Sequence, residues 1–180
     1  MKDADIQIGL INVVIGGALL WLVLMQRSLA SASDVLFYLA TATFLVHWYW
    51  GLIAYIKHVG PTDNLWEFML DILAVGSQVS TVFWINLPPV WFMLNGFSFL
   101  MAIVKYSISL KTRALSDKVS GYIREKRRLH SVGLLGIAGA IVLVFYVQPF
   151  WVLGLATLLS HLAAMAYLSY KKVYQLSEGS

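Results

Sequence analysis

His47 lies in the middle of one long apolar run, and Glu67, Asp71 and Gln78 recur along one face of the next. An ionisable side chain inside a bilayer costs at least ~2.5 kcal/mol, so such a residue is normally kept for a reason. Glu67, Asp71, Ala74, Gln78 and Thr81 are spaced 4, 3, 4 and 3. At about 100° per residue they fall within an ~80° arc of a helix. Lipid cannot satisfy that arc, so it must face protein or water. Facing water, its carboxylates form a cation or proton site at the mouth of a polar path. Asn95, Ser98, Ala102, Lys105 and Ser109 share a face of the following run. Lys105 falls near the depth of Asp71 and is its natural partner, and a paired acid is cheaper to bury than a lone one. The candidate transport path is therefore Glu67, Asp71, Gln78, Thr81, His47, Asn95 and Lys105, and a plain buried ion pair stands beside it as the structural reading.

A second constellation is His47 with His161. Counted from the same side, they are about 12 and 11 residues into their runs, which at ~1.5 Å per residue is nearly one depth. Two imidazoles at one level on different helices can bind a haem b iron or another metal, or relay protons. Polar contacts between packed helices are the simpler account. His58 and His130 fall in connecting segments, where solvation is expected.

The third feature is basic. The segment from Lys111 to His130 carries Arg124, Lys126, Arg127 and Arg128. These can hold anionic lipid headgroups at about 1 kcal/mol per charge, dock a partner protein, or simply fix topology. The pI is about 9.3, but the basic residues lie between apolar spans, so nucleic acid is not the expected partner. The chain has no cysteine, which excludes thiolate metal sites and cysteine nucleophiles. No phosphate loop, nucleophile elbow, HExxH or dinucleotide fingerprint occurs, and no enzymatic activity is expected.

These residues must be positioned by membrane helices. Of 180 residues, 59% are hydrophobic and only 12% charged, against about 25% charged in soluble domains. Six apolar stretches of about the length needed to cross a bilayer cover residues 6–26, 35–56, 65–86, 90–110, 131–147 and 150–170. Ala30-Ser31-Ala32 resembles a signal-peptidase site, but the preceding run is too long and its flank not basic, so a retained first helix is expected. Gly9, Asn12, Gly16 and Leu20 fall on one face of that helix, and the small residues there suit a close neighbour. The second span has a stripe of Ala40, Thr43, His47, Gly51 and Ala54, and the sixth has Ala156, Ser160 and Ala164. Leu115, Val119, Tyr122 and Ile123 follow helical spacing and predict a short amphipathic helix on the membrane surface. Trp66, Trp84, Trp91, Tyr146, Trp151 and Tyr170 fall at span ends, where an interfacial aromatic belt is expected.

Of the 13 Lys and Arg residues, all but Arg27 fall on one side of a six-span arrangement. The positive-inside rule then places both termini in the cytoplasm. The sequence thus predicts an all-α, polytopic integral membrane protein, one bundle over residues 1–180, in the plasma (inner) membrane. Its six transmembrane helices carry a short cytoplasmic amphipathic helix between the fourth and fifth. The favoured function is a small cation or proton channel or transporter, with a homo-oligomer formed through small-residue faces. The alternatives are a haem-binding redox protein using His47 and His161, and a non-catalytic subunit docking a partner through its basic loop.

Overall fold

The computed structural model describes residues 3–25, 29–61, 64–147 and 150–170. Six α-helices follow one another: α1 (Asp3–Met25), α2 (Ala32–Val59), α3 (Leu65–Ser80), α4 (Pro88–Thr112), α5 (Asp117–Leu143) and α6 (Trp151–Tyr170). A 3-10 turn over Thr81–Trp84 extends α3. No strand occurs among the described residues. Four helices, α1, α2, α4 and α6, are long and apolar enough to cross a membrane.

Local chemistry sets the boundaries. The Ser31 hydroxyl accepts from the Asp34 N–H at 3.1 Å, and the Asp34 carboxylate accepts from the Ser31 N–H at 2.9 Å. This reciprocal capping box starts α2. Gly60 ends that helix with φ +101°, a conformation that favours glycine. The Asn64 side chain caps α3 by accepting from the Trp66 N–H. Pro88 and Pro89 open α4, where a missing N–H is harmless.

Packing alternates in direction. Ser98 of α4 reaches the Ala74 carbonyl of α3 at 2.9 Å, and Lys105 reaches Asp71; the numbering rises along one helix as it falls along the other, so the pair is antiparallel. α5 runs back along α4, and the two backbones come close at glycines. A Cβ on Gly133 would sit 2.5 Å from the Phe99 ring, and one on Gly96 would sit 3.2 Å from Ile137. α6 runs parallel to α2, meeting it at Gly154 against Leu36 and Phe37, and at His161 against Phe44. From α2 to α6, successive helices therefore reverse. The core joins Phe37, Phe44, Trp91 and Phe92 in edge-to-face contacts at centroid distances of 5.1–5.9 Å, a favourable aromatic geometry.

Several expectations change. The surface helix expected before the fifth span and that span itself are one continuous helix, α5. Its capping serine, Ser116, accepts from the Val119 N–H, and no proline interrupts the helix before it ends at Leu143. Gly121 is tolerated there because it is exposed and nothing crowds it. His130, expected in a solvated loop, is therefore inside α5 and only 6% exposed, and His58 lies in the last turn of α2. Trp91 does not join an interfacial belt: it is fully buried, because its indole N–H has a partner within the core. On α1, the buried residues are Ile15, Ala18 and Leu22, while Gly9 and Gly16 have open space above them. Gly9-Asn12-Gly16 is thus not the face that α1 uses within the chain, since larger apolar residues bury more area. Arg27, the turn at Gln148-Pro149, Lys171, Lys172 and the polar tail lie outside the described residues.

Candidate functional site

The polar faces of α3 and α4 meet each other and α2, forming one buried column. At one end Arg113, just past α4, donates from Nη2 to Glu67 Oε2 at 2.9 Å and from Nε to Oε1 at 3.4 Å. The same guanidinium donates to the Val59 and Pro61 carbonyls at 3.4 Å. One forked cation thereby ties the end of α2, the start of α3 and the end of α4. Glu67 is fully buried, and a cleft of about 350 Å³ lined by Asn64, Glu67, Thr112 and Arg113 opens here.

One layer in, Lys105 Nζ donates to both Asp71 oxygens, at 2.6 and 2.5 Å. The ammonium also stands 3.8 Å from the centre of the Tyr55 ring, a cation–π contact. The Tyr55 hydroxyl bonds Ser109 Oγ at 2.6 Å and lies 3.4 Å from Glu67 Oε2. Tyr55 thus bridges the two ion pairs. Deeper still, Ser98 bonds the Ala74 carbonyl, and the register that this sets brings Gln78 to the level of Asn95. Asn95 donates from Nδ2 to the Trp91 carbonyl at 2.9 Å, but its Oδ1 has no hydrogen-bond partner. Neither Gln78 Oε1 nor Gln78 Nε2 has one, although Gln78 is 1% exposed. Thr81 turns its hydroxyl onto the Gln78 carbonyl at 2.7 Å. Last, the Trp91 indole N–H donates to Thr41 Oγ1 at 2.8 Å. From Arg113 to Trp91 the column follows α4 for 22 positions, or about 33 Å at ~1.5 Å rise per residue.

The sequence brings most of this together. Glu67, Asp71, Gln78, Thr81, Asn95 and Lys105 all lie in the column. His47 does not. It faces α6, its ring 5.1 Å from that of His161 at an interplanar angle of 77°. The two rings meet edge to face, as packed aromatics do, rather than opposing their nitrogens across one iron. No group of three or more His, Cys, Asp or Glu residues is placed to hold a metal ion among the described residues. Of the basic cluster, Arg124 and Arg128 are exposed and Arg127 partly so, but Lys126 turns inward and is 1% exposed.

Arg113, Tyr55 and the Thr41–Trp91 pair were not anticipated. Arg113 had a signal: like Lys105 opposite Asp71, it lies at the same end of the bundle as Glu67. Tyr55 is two helical turns beyond His47 through Gly51, but its aromatic ring masks a polar role in any apolar count.

The chain matches no protein-family model, no curated protein and no solved structure.

Proposed function

We propose that this protein is a small membrane transporter or channel that passes a proton or small cation along the column between α2, α3 and α4. The observation that carries this reading is the unsatisfied polarity of Gln78 and Asn95, both buried on the facing sides of α3 and α4. Three of their polar atoms are buried without partners, each at a cost of about 1–3 kcal/mol. Packing alone gives no return for that cost, whereas water or a permeating ion would satisfy these atoms in transit. Glu67 and Asp71 lie between them and the cleft at Arg113, and each carboxylate would favour a cation once its partner, Arg113 or Lys105, swings aside.

The reading includes six membrane crossings. α3 and α5 fall short of the usual length or apolarity, yet both pack along α4, which is long enough to cross. The reversal of direction from α2 to α6 is what successive crossings require. Exposed apolar side chains such as Val13, Leu135 and Leu65 suit a surface solvated by lipid. With the basic residues inside, both termini are cytoplasmic and the membrane is the plasma (inner) membrane. Arg124, Arg127 and Arg128 then meet anionic headgroups.

The test is flux in liposomes loaded with a pH- or potassium-sensitive dye. Wild type is expected to conduct, and Gln78→Leu with Asn95→Leu is expected to abolish flux in protein that still folds. A wild type that passes no small cation overturns the proposal.

A further inference from the structure

α5 packs along α4 and α6 along α2. The two meet where the Tyr167 hydroxyl donates to Glu125 Oε1 at 2.7 Å. Beyond this contact a cavity of about 470 Å³ lies between them, an ordinary volume for a site that holds an organic molecule. Its walls are apolar and mostly small: Gly136, Ala140, Leu143, Leu153 and Ala156. Val132 and Leu135 at its rim are 60% and 74% exposed, so it opens sideways, toward lipid in a membrane. Along α5 it runs from Leu129 to Leu143, about 21 Å at ~1.5 Å per residue. One leaflet contributes about half of the ~30 Å hydrocarbon core, so a tail laid here reaches from the headgroup plane to the bilayer centre.

The polar residues at the back of the cavity are buried and face α2. Lys126 extends across to Gly51, His130 meets the Trp48 ring edge to face, and the His161 ring stands 3.9 Å from that of Phe44. The charge at the membrane surface comes instead from Arg124 and Arg128, both exposed. Arg124, Arg128, Val132 and Leu135 are spaced 4, 4 and 3, so one face of α5 leads from two guanidiniums to the rim of the groove. Arg128 is close enough to Tyr167 to act electrostatically on its hydroxyl, which places it at the end where α5 and α6 meet. Glu125, the carboxylate at this end, is engaged by that hydroxyl.

We propose that the α5–α6 groove holds one acyl chain of an anionic phospholipid of the cytoplasmic leaflet, with its phosphate at Arg124 and Arg128. Guanidinium suits phosphate because its fork donates two parallel hydrogen bonds. The small side chains of Gly136, Ala140 and Ala156 leave the width that a chain of methylenes fills, and an apolar space facing lipid does not stay empty where interiors are close-packed. This inference rests on α5 and α6 both crossing the membrane, as proposed above, and is independent of conduction along the column.

The test uses the full chain in phosphatidylcholine nanodiscs containing a trace of phosphatidylglycerol with a diazirine on one tail; phosphatidylcholine with the same tail is the control probe. Photolysis is expected to label residues 132–143 of α5 and the facing part of α6, more strongly from the anionic probe. Each arginine should favour that probe about fivefold, so Arg128→Gln should lower its labelling by that factor and leave the zwitterionic probe unchanged. Gly136→Leu fills the groove where a side chain meets nothing within 4 Å, and it should abolish groove labelling from both probes. Thermal unfolding reports the fold of both variants, and Arg128→Gln decides the matter if Gly136→Leu does not fold. Equal groove labelling from the two probes in wild type overturns the headgroup assignment. Label as strong on α1 as in the groove, or unchanged in Gly136→Leu, overturns the groove. Stronger displacement by oleate than by dioleoyl phosphatidylglycerol overturns the phospholipid, and efficient cross-linking between two Gly136→Cys copies without acyl label shows a second chain in its place. An impermeant maleimide at Ala114→Cys and Val147→Cys reports separately whether α5 crosses. Opposite sides without groove label overturn the lipid site alone, and one shared side overturns the crossing and this site together.

Discussion

Lys105 Nζ lies 2.6 and 2.5 Å from the two carboxylate oxygens of Asp71, joining α3 to α4 through side chains that are 4% and 21% exposed. Removing one partner of such a pair leaves the other charge buried alone, at a cost of about 3–5 kcal/mol. Asp71→Asn and Lys105→Met should each lower stability in detergent by that order. The double variant should recover part of the loss, since two neutral groups of similar size need no compensation. A double variant no more stable than the weaker single one would show that the charges do not compensate each other.

The Thr41–Trp91 bond makes a second, uncharged test. Both residues are fully buried, so Thr41→Val leaves the indole N–H unpaired at about 1–3 kcal/mol. Thr41→Ser keeps the hydroxyl and should cost less. Equal losses in thermal unfolding would assign the effect to packing instead of the bond.

The placement of these residues shows where sequence reasoning reaches and where it stops. The 4-3-4-3 spacing on α3 identified a face, and helical geometry makes that face real whatever it packs against. Asp71 and Lys105 could be paired because depth and sign are both readable from span ends. The register of Gln78 against Asn95 was not, since it depends on how α3 and α4 slide past each other. A boundary read from charge density splits α5 in two, whereas the helix runs on through it. Its first half is amphipathic, and its inward face, Tyr122, Lys126 and His130, buries polar residues that composition alone assigns to solvent. Trp91 shows the same limit for aromatics: position near a helix end does not say whether the ring turns to lipid or to the core.

Membrane topology can be read cleanly because the chain lacks cysteine. Single cysteines at Ala30 and Leu87 should react with an impermeant maleimide from outside intact cells. Those at Pro61 and Ala114 should react only after permeabilisation. External labelling at Ala114 would reverse the orientation, and internal labelling at Leu87 would remove a crossing.

The column itself is tested at Asp71 by separating conduction from stability. If the polar face carries a cation, the Asp71 carboxylate attracts it and Lys105 must release it, so charge at this layer sets the flux. Asp71→Asn should then lower flux per folded molecule by more than about tenfold, the factor given by ~1.4 kcal/mol of lost attraction. If the face merely packs, Asp71→Asn lowers the yield of folded protein and leaves each folded molecule as it was. Ser80, which turns its hydroxyl back onto the Gly76 carbonyl at 2.7 Å, lies off this face. Ser80→Ala should therefore conduct like wild type. The measurement is initial flux in liposomes divided by folded protein, counted by size-exclusion chromatography after extraction. Normalised flux that is unchanged in Asp71→Asn, from a wild type that conducts, would take Asp71 and its ion pair out of the path.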